Sequence, residues 1–332
     1  MALPLDIRDL VSSGAKLRKE REKLVRLAVY IDAEAPESAV EALRQALRPQ
    51  MSTARLHVEP IVVGDVLVVD DSADAVIALT GPGAAIAPSL ARARDRLIPT
   101  LALALGETRD DVSDRLGHPL LDTAVADEPD ELVAHLGTWL ADRVSGKRLA
   151  LAANFAFVRR AVSVEAVKNT ALQNGLIGGV MIIPGADMPL MTANQAKMLM
   201  QIAAAYGEPL GVERIKELVA VVGSGFALRT VARQALTLIP GFGWAIKAGV
   251  GYSGTLAMGY AALEYFESGG DVRGLADKVR DARDRALELA KRRRGSIDAS
   301  GATRTLAEEN PVTTVNPGLP PASGPSGESA AQ

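Results

Sequence analysis

Between Asn169 and Gly270 the chain is made of helix-length apolar runs dense in glycine and alanine, and this restricts its packing more than any other feature. The stretch reads NTALQNGLIGGVMIIPGADMPLMTANQAKMLMQIAAAYGEPLG and, after Val222, GSGFALRTVARQALTLIPGFGWAIKAGVGYSGTLAMGYAALEYFESGG. Acidic groups are scarce in it. Pro184-Gly185 and Pro240-Gly241 interrupt it, a pairing that favours a break or sharp turn. Gly251, Thr255 and Gly259 recur at every fourth position, and Gly175 pairs with Gly179 in the same way. Small residues at that spacing let helix backbones approach closely, in lipid or in a tight protein bundle. Such a surface gives catalysis little to work with.

Helices are expected over 157–183, 193–206, 212–238, 244–266 and 271–294. A helix that spans a bilayer needs about twenty predominantly apolar residues. The run 172–191 is cut by Gln173, Asn174, Pro184, Asp187 and Pro189. The run 244–263 is diluted by its glycines and carries Lys247, Tyr252 and Tyr260. Neither reads as an autonomous span, so the expectation is a helical hairpin embedded in, or docked on, the bilayer. Asp187 is expected to cap a helix starting near Thr192. Met188, Met191, Met198 and Met200 read as core filler, and Lys247 as a partner of Glu264 or a snorkelling cation. The helix 271–294 places Leu275, Val279, Ala282, Ala286 and Leu289 on one stripe and ends in Lys291–Arg294 before Gly295, which suits the helix dipole and a glycine stop. From Ser296 onward Gly, Ser, Pro, Thr and Ala dominate, so 296–332 is expected to be disordered.

Ahead of this region the pattern is different. Residues 1–23 hold a charged helix, with Lys16, Arg18, Lys19, Arg21, Lys23 and Arg26 clustered towards its end. Glu20 and Glu22 interrupt the cations, as on a solvated face; attraction to anionic lipid, at about 1 kcal/mol per basic residue, is the alternative. Residues 24–146 then alternate between strands and helices. Strands are expected at 24–31, 56–63, 66–69, 75–79, 100–105 and 120–125, and helices at 37–47, 86–97 and 129–143. That alternation predicts an α/β domain with a mainly parallel sheet and helices on its faces. An all-α helical domain follows over 147–270.

Composition limits the chemistry. Hydrophobic residues make up 48% and charged residues 23%, enough for a large core, with aromatics at only 4%. The formal charge of −3 gives no reason to expect nucleic acid. Without cysteine there are no disulfides and no thiolate chemistry. His57, His118 and His135 are too scattered for a zinc site. The start MALPLDIRDLVSSG carries charge where a signal peptide needs an apolar core, so the protein is expected in the cytoplasm or at the cytoplasmic face of a membrane.

The segments DVLVVDDSADAVIAL and RARDRLIPTLALALG resemble the middle of an Era-type GTPase domain, over roughly 62–106. The nucleotide chemistry of that fold is missing. After the first strand the chain reads DAEAPESAVEA where a phosphate-binding G-x-x-x-x-G-K-[ST] belongs, and Asp32, Glu34 and Glu37 would repel a polyphosphate. Asp70 and Asp71 stand where a magnesium-side Asp-x-x-Gly would fall, without its glycine. GETRDD replaces the base-reading Asn-Lys-x-Asp. Phosphate positioning supplies nearly all catalysis in such folds, so the resemblance implies a degenerate, pseudo-GTPase module. Gly81-Pro82-Gly83, between a strand and a helix, offers a candidate anion site at Gly81 and Gly83 or a plain turn. Asp70, Asp71 and Asp74 read as turn-capping carboxylates, or as oxygen ligands for a divalent cation.

The helical half resembles the bacterial family of unknown function typified by the YcjF inner-membrane proteins, a module also found after Era-like GTPase domains. The resemblance rests on Pro184, Asp187, Gln195, Met198, Tyr206, Gly207, Pro240, Gly243, Thr255 and Gly259, in that order over about a hundred residues. It implies a membrane-associated helical domain, with no catalytic residue and no cofactor. The combined expectation is a non-catalytic scaffold or regulator at the cytoplasmic face of the inner membrane, bound to the bilayer, to a membrane protein or to a second copy of itself. The alternatives are a soluble protein binding a small anion at Gly81–Gly83, and an atypical nucleotide hydrolase holding magnesium through Asp70 or Asp71.

Overall fold

The computed structural model describes residues 7–62, 69–83, 86–117, 121–180, 187–208, 210 and 243–269. The expected strand 66–69 falls mostly outside them, as do the helices 212–238 and 271–294, the tail, His118, Pro184 and Pro240.

Five strands form one sheet: β1 (Val25–Asp32), β2 (Ala54–Ile61), β3 (Ala75–Leu79), β4 (Thr100–Leu105) and β5 (Asp122–Ala126). Every pairing is parallel, in the order β2-β1-β3-β4-β5. This is the doubly wound order in which the chain reverses its direction of travel between β1 and β3. The α/β expectation is therefore correct. β3 is buried along its whole length, as a strand covered on both faces requires.

Alternation along each strand divides the core in two. Val25, Leu27, Val29, Ile77, Leu79, Leu101 and Leu103 point to one face, beneath α2 (Glu37–Ala46) and α5 (Pro129–Arg143). Ala28, Tyr30, Val76, Ala78, Ala102 and Ala104 point to the other, beneath α3 (Ala87–Asp95) and α4 (Arg109–Leu116). Small residues on that second face let the short α3 and α4 sit close to the sheet.

The sequence reading missed α4, treating GETRDD only as a displaced base-reading motif. Thr108 accepts the Asp111 N–H at 3.2 Å, Asp110 and Asp111 occupy the first turn, and Gly117 ends the helix at φ +62°. Those are ordinary start and stop signals on a helix too short to show an apolar period.

The helical half is anchored on the α2/α5 face. A 3-10 turn (Ser145–Lys147) leads into α6 (Arg148–Asn154) and α7 (Ala156–Val180). Phe155, Val158 and Val162 extend the sheet's own core. The helix expected over 157–183 is α7, and α6 ahead of it was not expected; the two are separated at Phe155, whose extended backbone turns its ring into that core. α8 (Asp187–Ala205) begins at Asp187, five residues before the expected start, with Pro189 in its first turn, where a missing N–H costs nothing. α9 (Gly243–Glu267) is one continuous helix. Lys247 and Glu264 lie on it about 25 Å apart, so the expected pairing between them is excluded. The charged N-terminal helix, α1 (Ile7–Arg21), packs on α6 and α8, burying Gly14 and half-burying Leu17.

Two polar clamps tie sheet to helices. Asp122, opening β5, accepts the Trp139 Nε1–H and an Arg143 N–H of α5, both at 2.8 Å. Asp74 accepts the Arg26 backbone N–H at 2.8 Å and the Lys147 ammonium at 2.6 Å, joining β1 to the start of the helical half. Removing an acceptor that serves two donors leaves both unpaired. Asp74→Ala is expected to lower the unfolding free energy by about 2 kcal/mol, read as a lower urea midpoint at unchanged slope. The exposed Ser72→Ala is the control, with an expected cost below about 0.5 kcal/mol.

Candidate functional site

In doubly wound sheets ligands bind beyond the carboxyl ends of the strands, at the reversal point. Here that point lies between the ends of β1 and β3, where Asp32, Glu34, Thr80, Gly81 and Gly83 meet. Asp32 is buried, and one carboxylate oxygen accepts the Glu34 N–H at 3.0 Å. A Cβ on Gly81 would lie 2.7 Å from the Glu34 carbonyl carbon, so only glycine lets the β1–α2 loop approach there. A Cβ on Gly83 would lie 3.0 Å from the Glu34 carboxylate. The turn proposed for an anion thus faces a carboxylate of the protein itself, and a second negative charge would meet repulsion. Beside it Thr80 donates to the Leu103 carbonyl at 3.0 Å, and Arg115 pairs with Glu107 while reaching Thr80 at 3.4 Å.

The other acidic group sits at the opposite end of the sheet. Asp70 accepts both the backbone N–H and the hydroxyl of Ser72, at 2.8 and 2.9 Å. The Ser72 N–H, with its hydroxyl, holds the Asp70 carboxyl below its ordinary value. Asp71 pairs with Arg96, just ahead of β4, and Asp74 with Arg26 and Lys147. From Arg26 to Asp32 the strand rises about 20 Å. A magnesium at Asp70 or Asp71 would therefore sit at the wrong end of β1 for anything bound near Gly81, which removes the geometry of the nucleotide-hydrolase alternative. The three carboxylates are committed to separate partners, and among the described residues no group of three or more His, Asp or Glu side chains is placed to hold a metal ion.

Of the residues that the sequence singled out in the helical half, Gln195, Gly251, Thr255 and Gly259 come together between α7, α8 and α9. α7 and α9 run antiparallel, with Asn174 against Gly251, Val167 against Gly259 and Arg160 paired with Glu267 at 2.5 Å. A Cβ on Gly259 would fall 2.4 Å from Val167 Cγ2, and one on Gly251 2.6 Å from the Asn174 carbonyl oxygen. At the same level Thr255 donates to the Gly251 carbonyl at 2.7 Å and accepts from Asn174 Nδ2 at 3.0 Å and Gln195 Nε2 at 2.9 Å. A hydroxyl has one proton and two lone pairs, so this one is saturated. Asn194 donates to Asn174 Oδ1 at 3.0 Å. Asn174, Gln195 and Thr255 are all buried. The network joins three helices at one layer and keeps them in register.

Met198 and Met200 are buried in the adjoining apolar cluster, and Met191 is buried as well, as expected of core filler. Gly207, at φ +87°, closes α8. Its N–H bonds to Ala204 and the Glu208 N–H to Ala203, the two bonds of a Schellman ending. Tyr206 stacks on Phe266 and donates to Glu267 at 3.1 Å. Burial, reinforced by the Glu267 carboxylate, raises its phenol well above the ordinary value. Asp187 and Gly243 open α8 and α9. Neither Asn174 nor Asn194 was among the sequence-derived site residues; their four-residue and one-residue spacing from small or amide neighbours was the available signal.

Comparison of the chain with protein-family models, curated proteins and solved structures finds no match.

Thr255→Val keeps the shape and deletes the hydroxyl, leaving amide donors of Asn174 and Gln195 facing a methyl group. The expected loss is about 2–4 kcal/mol in denaturant unfolding, against about 1 kcal/mol for Thr255→Ser, which loses only a methyl. A second expectation concerns alkaline pH. The Tyr206 phenol stays protonated in the folded protein over a range in which it ionises in the unfolded chain. Its contribution is therefore complete below the ordinary value of 10.0 and is lost as pH rises through the folded value. Tyr206→Phe is expected to fall less in stability than wild type between about pH 9 and pH 11, as measured by urea midpoints of both proteins in parallel.

Proposed function

We propose that the protein is a non-catalytic scaffold or regulator that works at the cytoplasmic face of the inner membrane. In this reading the sheet half is a pseudo-GTPase-like platform, and the helical half is a YcjF-like docking module. The observation that carries the reading is a set of exposed apolar side chains at one end of the helices. Leu172 and Leu176 are 57% and 60% exposed on the outer side of α7, one turn apart, with Leu190 of α8 and Tyr252 of α9 exposed at the same level. They surround the Asn174–Thr255 layer, about 21 Å along α7 from the Arg160–Glu267 pair that faces the sheet.

The interior polar groups at this level are bonded to one another, and among the described residues the exposed leucines and Tyr252 supply the apolar surface at this end, beside the exposed Gln173 and Ser253. That arrangement suits insertion of side chains into the boundary between headgroups and acyl chains, which needs buried apolar area and no spanning helix. None of the described helices is long and apolar enough to cross a membrane, so the attachment is peripheral in this reading.

The test is flotation of the full-length protein with vesicles containing anionic lipid, alongside cell fractionation with a carbonate wash. Wild type is expected to float and to be released by carbonate. Leu172→Ser combined with Leu176→Ser is expected to weaken vesicle binding by about tenfold or more, since each leucine contributes on the order of 1 kcal/mol at this degree of exposure. Wild-type protein that stays in the soluble fraction from the start, and does not float, sinks the reading.

A further inference from the structure

On another side of the helices from the exposed leucines, α1, α6, α7 and α8 line two adjoining cavities of about 320 and 410 Å³ that run from Ser13 and Lys16 to Gln173 and Asn194. Arg148, Leu149, Lys197 and Gln201 line both, so the cavities share one wall and form a continuous groove. We infer that this groove is a binding site for a phosphate-bearing polar ligand.

The charge inventory is the first argument. Glu165 is paired with Arg148 at 2.5 Å, and Glu20 with Lys23, so both carboxylates of the lining are already neutralised. Lys16, from α1, and Lys197, from α8, have no ion-pair partner among the described residues. Two uncommitted ammonium groups on facing helices leave the groove with a local excess of about two positive charges. That matches a phosphate monoester, which carries about −1.5 to −2 at neutral pH and three acceptor oxygens. Lysine binds phosphate as a point charge and needs no particular fork geometry.

Hydrogen-bonding capacity is the second. The side-chain amide of Gln201, half-buried on the shared wall, has no hydrogen-bond partner among the described residues, and Ser13 lines the same cavity. The other cavity carries the side-chain amides of Asn169, Gln173 and Asn194. Amides supply both donors and acceptors, the complement of a polyhydroxylated body, while Leu149 and Met198 give an apolar surface between them. The groove thus has a cationic end and an amide end. The phosphate belongs at the first, beside Lys16 and Lys197, and the polar body at the second. Burial holds the Glu165 carboxyl above its ordinary value despite Arg148, as expected for a groove wall partly shielded from water.

The probes are inorganic pyrophosphate and, separately, phosphatidylglycerol vesicles, each titrated into the full-length chain by calorimetry or fluorescence. Saturable one-to-one binding of pyrophosphate is expected, weakened about tenfold by Lys16→Gln and by Lys197→Gln. Lys168→Gln, an exposed cation of α7 outside the groove, is expected to leave it unchanged. Binding to vesicles alone, lost in Lys16→Gln/Lys197→Gln and kept in Leu172→Ser/Leu176→Ser, supports the same site with a lipid headgroup as the phosphate source. Two results overturn the inference: no binding of either probe, or binding that Lys168→Gln weakens as much as the groove variants do. Because the leucine and lysine variants are separate, this site and membrane docking stand or fall independently.

Discussion

Val167 fills the space where a side chain on Gly259 would go, and the Asn174 carbonyl fills that on Gly251. The rest of the helical half depends on these two approaches. With the α7 and α9 backbones this near, Thr255 comes within reach of Asn174 from α7 and Gln195 from α8. The same antiparallel register brings Glu267 to Arg160 and Tyr206. Shifting α9 by a single residue would turn Thr255 by about 100° away from both amides. Buried donors would then lose their acceptor, at about 1–3 kcal/mol each. Close packing sets the distance between the helices, and the amide–hydroxyl network sets their register.

The sheet contributes a different constraint. Its α2/α5 face extends without a gap into α6 and α7 through Phe155, Val158 and Val162, so one apolar cluster runs from the strands into the helices. Asn154 strengthens the junction, donating to Thr53 and to the Ala150 carbonyl while its own carbonyl accepts the Gln50 N–H. The helices are thus fastened to the sheet at the Phe155 end of α7, and the exposed leucines lie at the other end. A platform joined in this way holds the far end of α7 at a fixed distance from the sheet.

Much of this was legible from residue patterns, and the failures have physical causes. All five strands stand close to their expected positions: the central β1, β3 and β4 are nearly continuous apolar runs, as buried parallel strands require, which local composition reveals, and only the edge strand β2 is mostly exposed. Helix boundaries were read less well: α6 was missed, and α8 starts ahead of its expected position because Pro189, read as an interruption, sits in its first turn. The break at Phe155 is driven by burial of one ring in a core that only the folded chain possesses. The four-residue spacing of Gly251, Thr255 and Gly259 signalled close packing. Spacing along one helix does not say which partner lies opposite, so Asn174 reads in the sequence only as an interruption of an apolar run. Asp70 and Asp71 were misplaced for a related reason: local sequence does not say which end of a sheet a loop occupies. Once β1 and β3 are paired, those carboxylates lie at the amino end, about 20 Å from the reversal point.

That reversal point is where a protein of this topology ordinarily holds its ligand, and here it is filled from within by Glu34, Asp32 and the Arg115–Glu107 pair. Lys16 and Lys197 of the α1/α8 groove have no ion-pair partner among the described residues, whereas the end of β1 carries Asp32 and Glu34, joined by the bond from the Glu34 N–H to Asp32. On charge grounds the anionic ligand proposed above belongs at the helices rather than in the crevice of the sheet. The same helices carry the exposed leucines on another side. In the proposed reading, apolar contact and charge recognition both fall to the helical half, through different residues, and the sheet is the body that holds those surfaces in place.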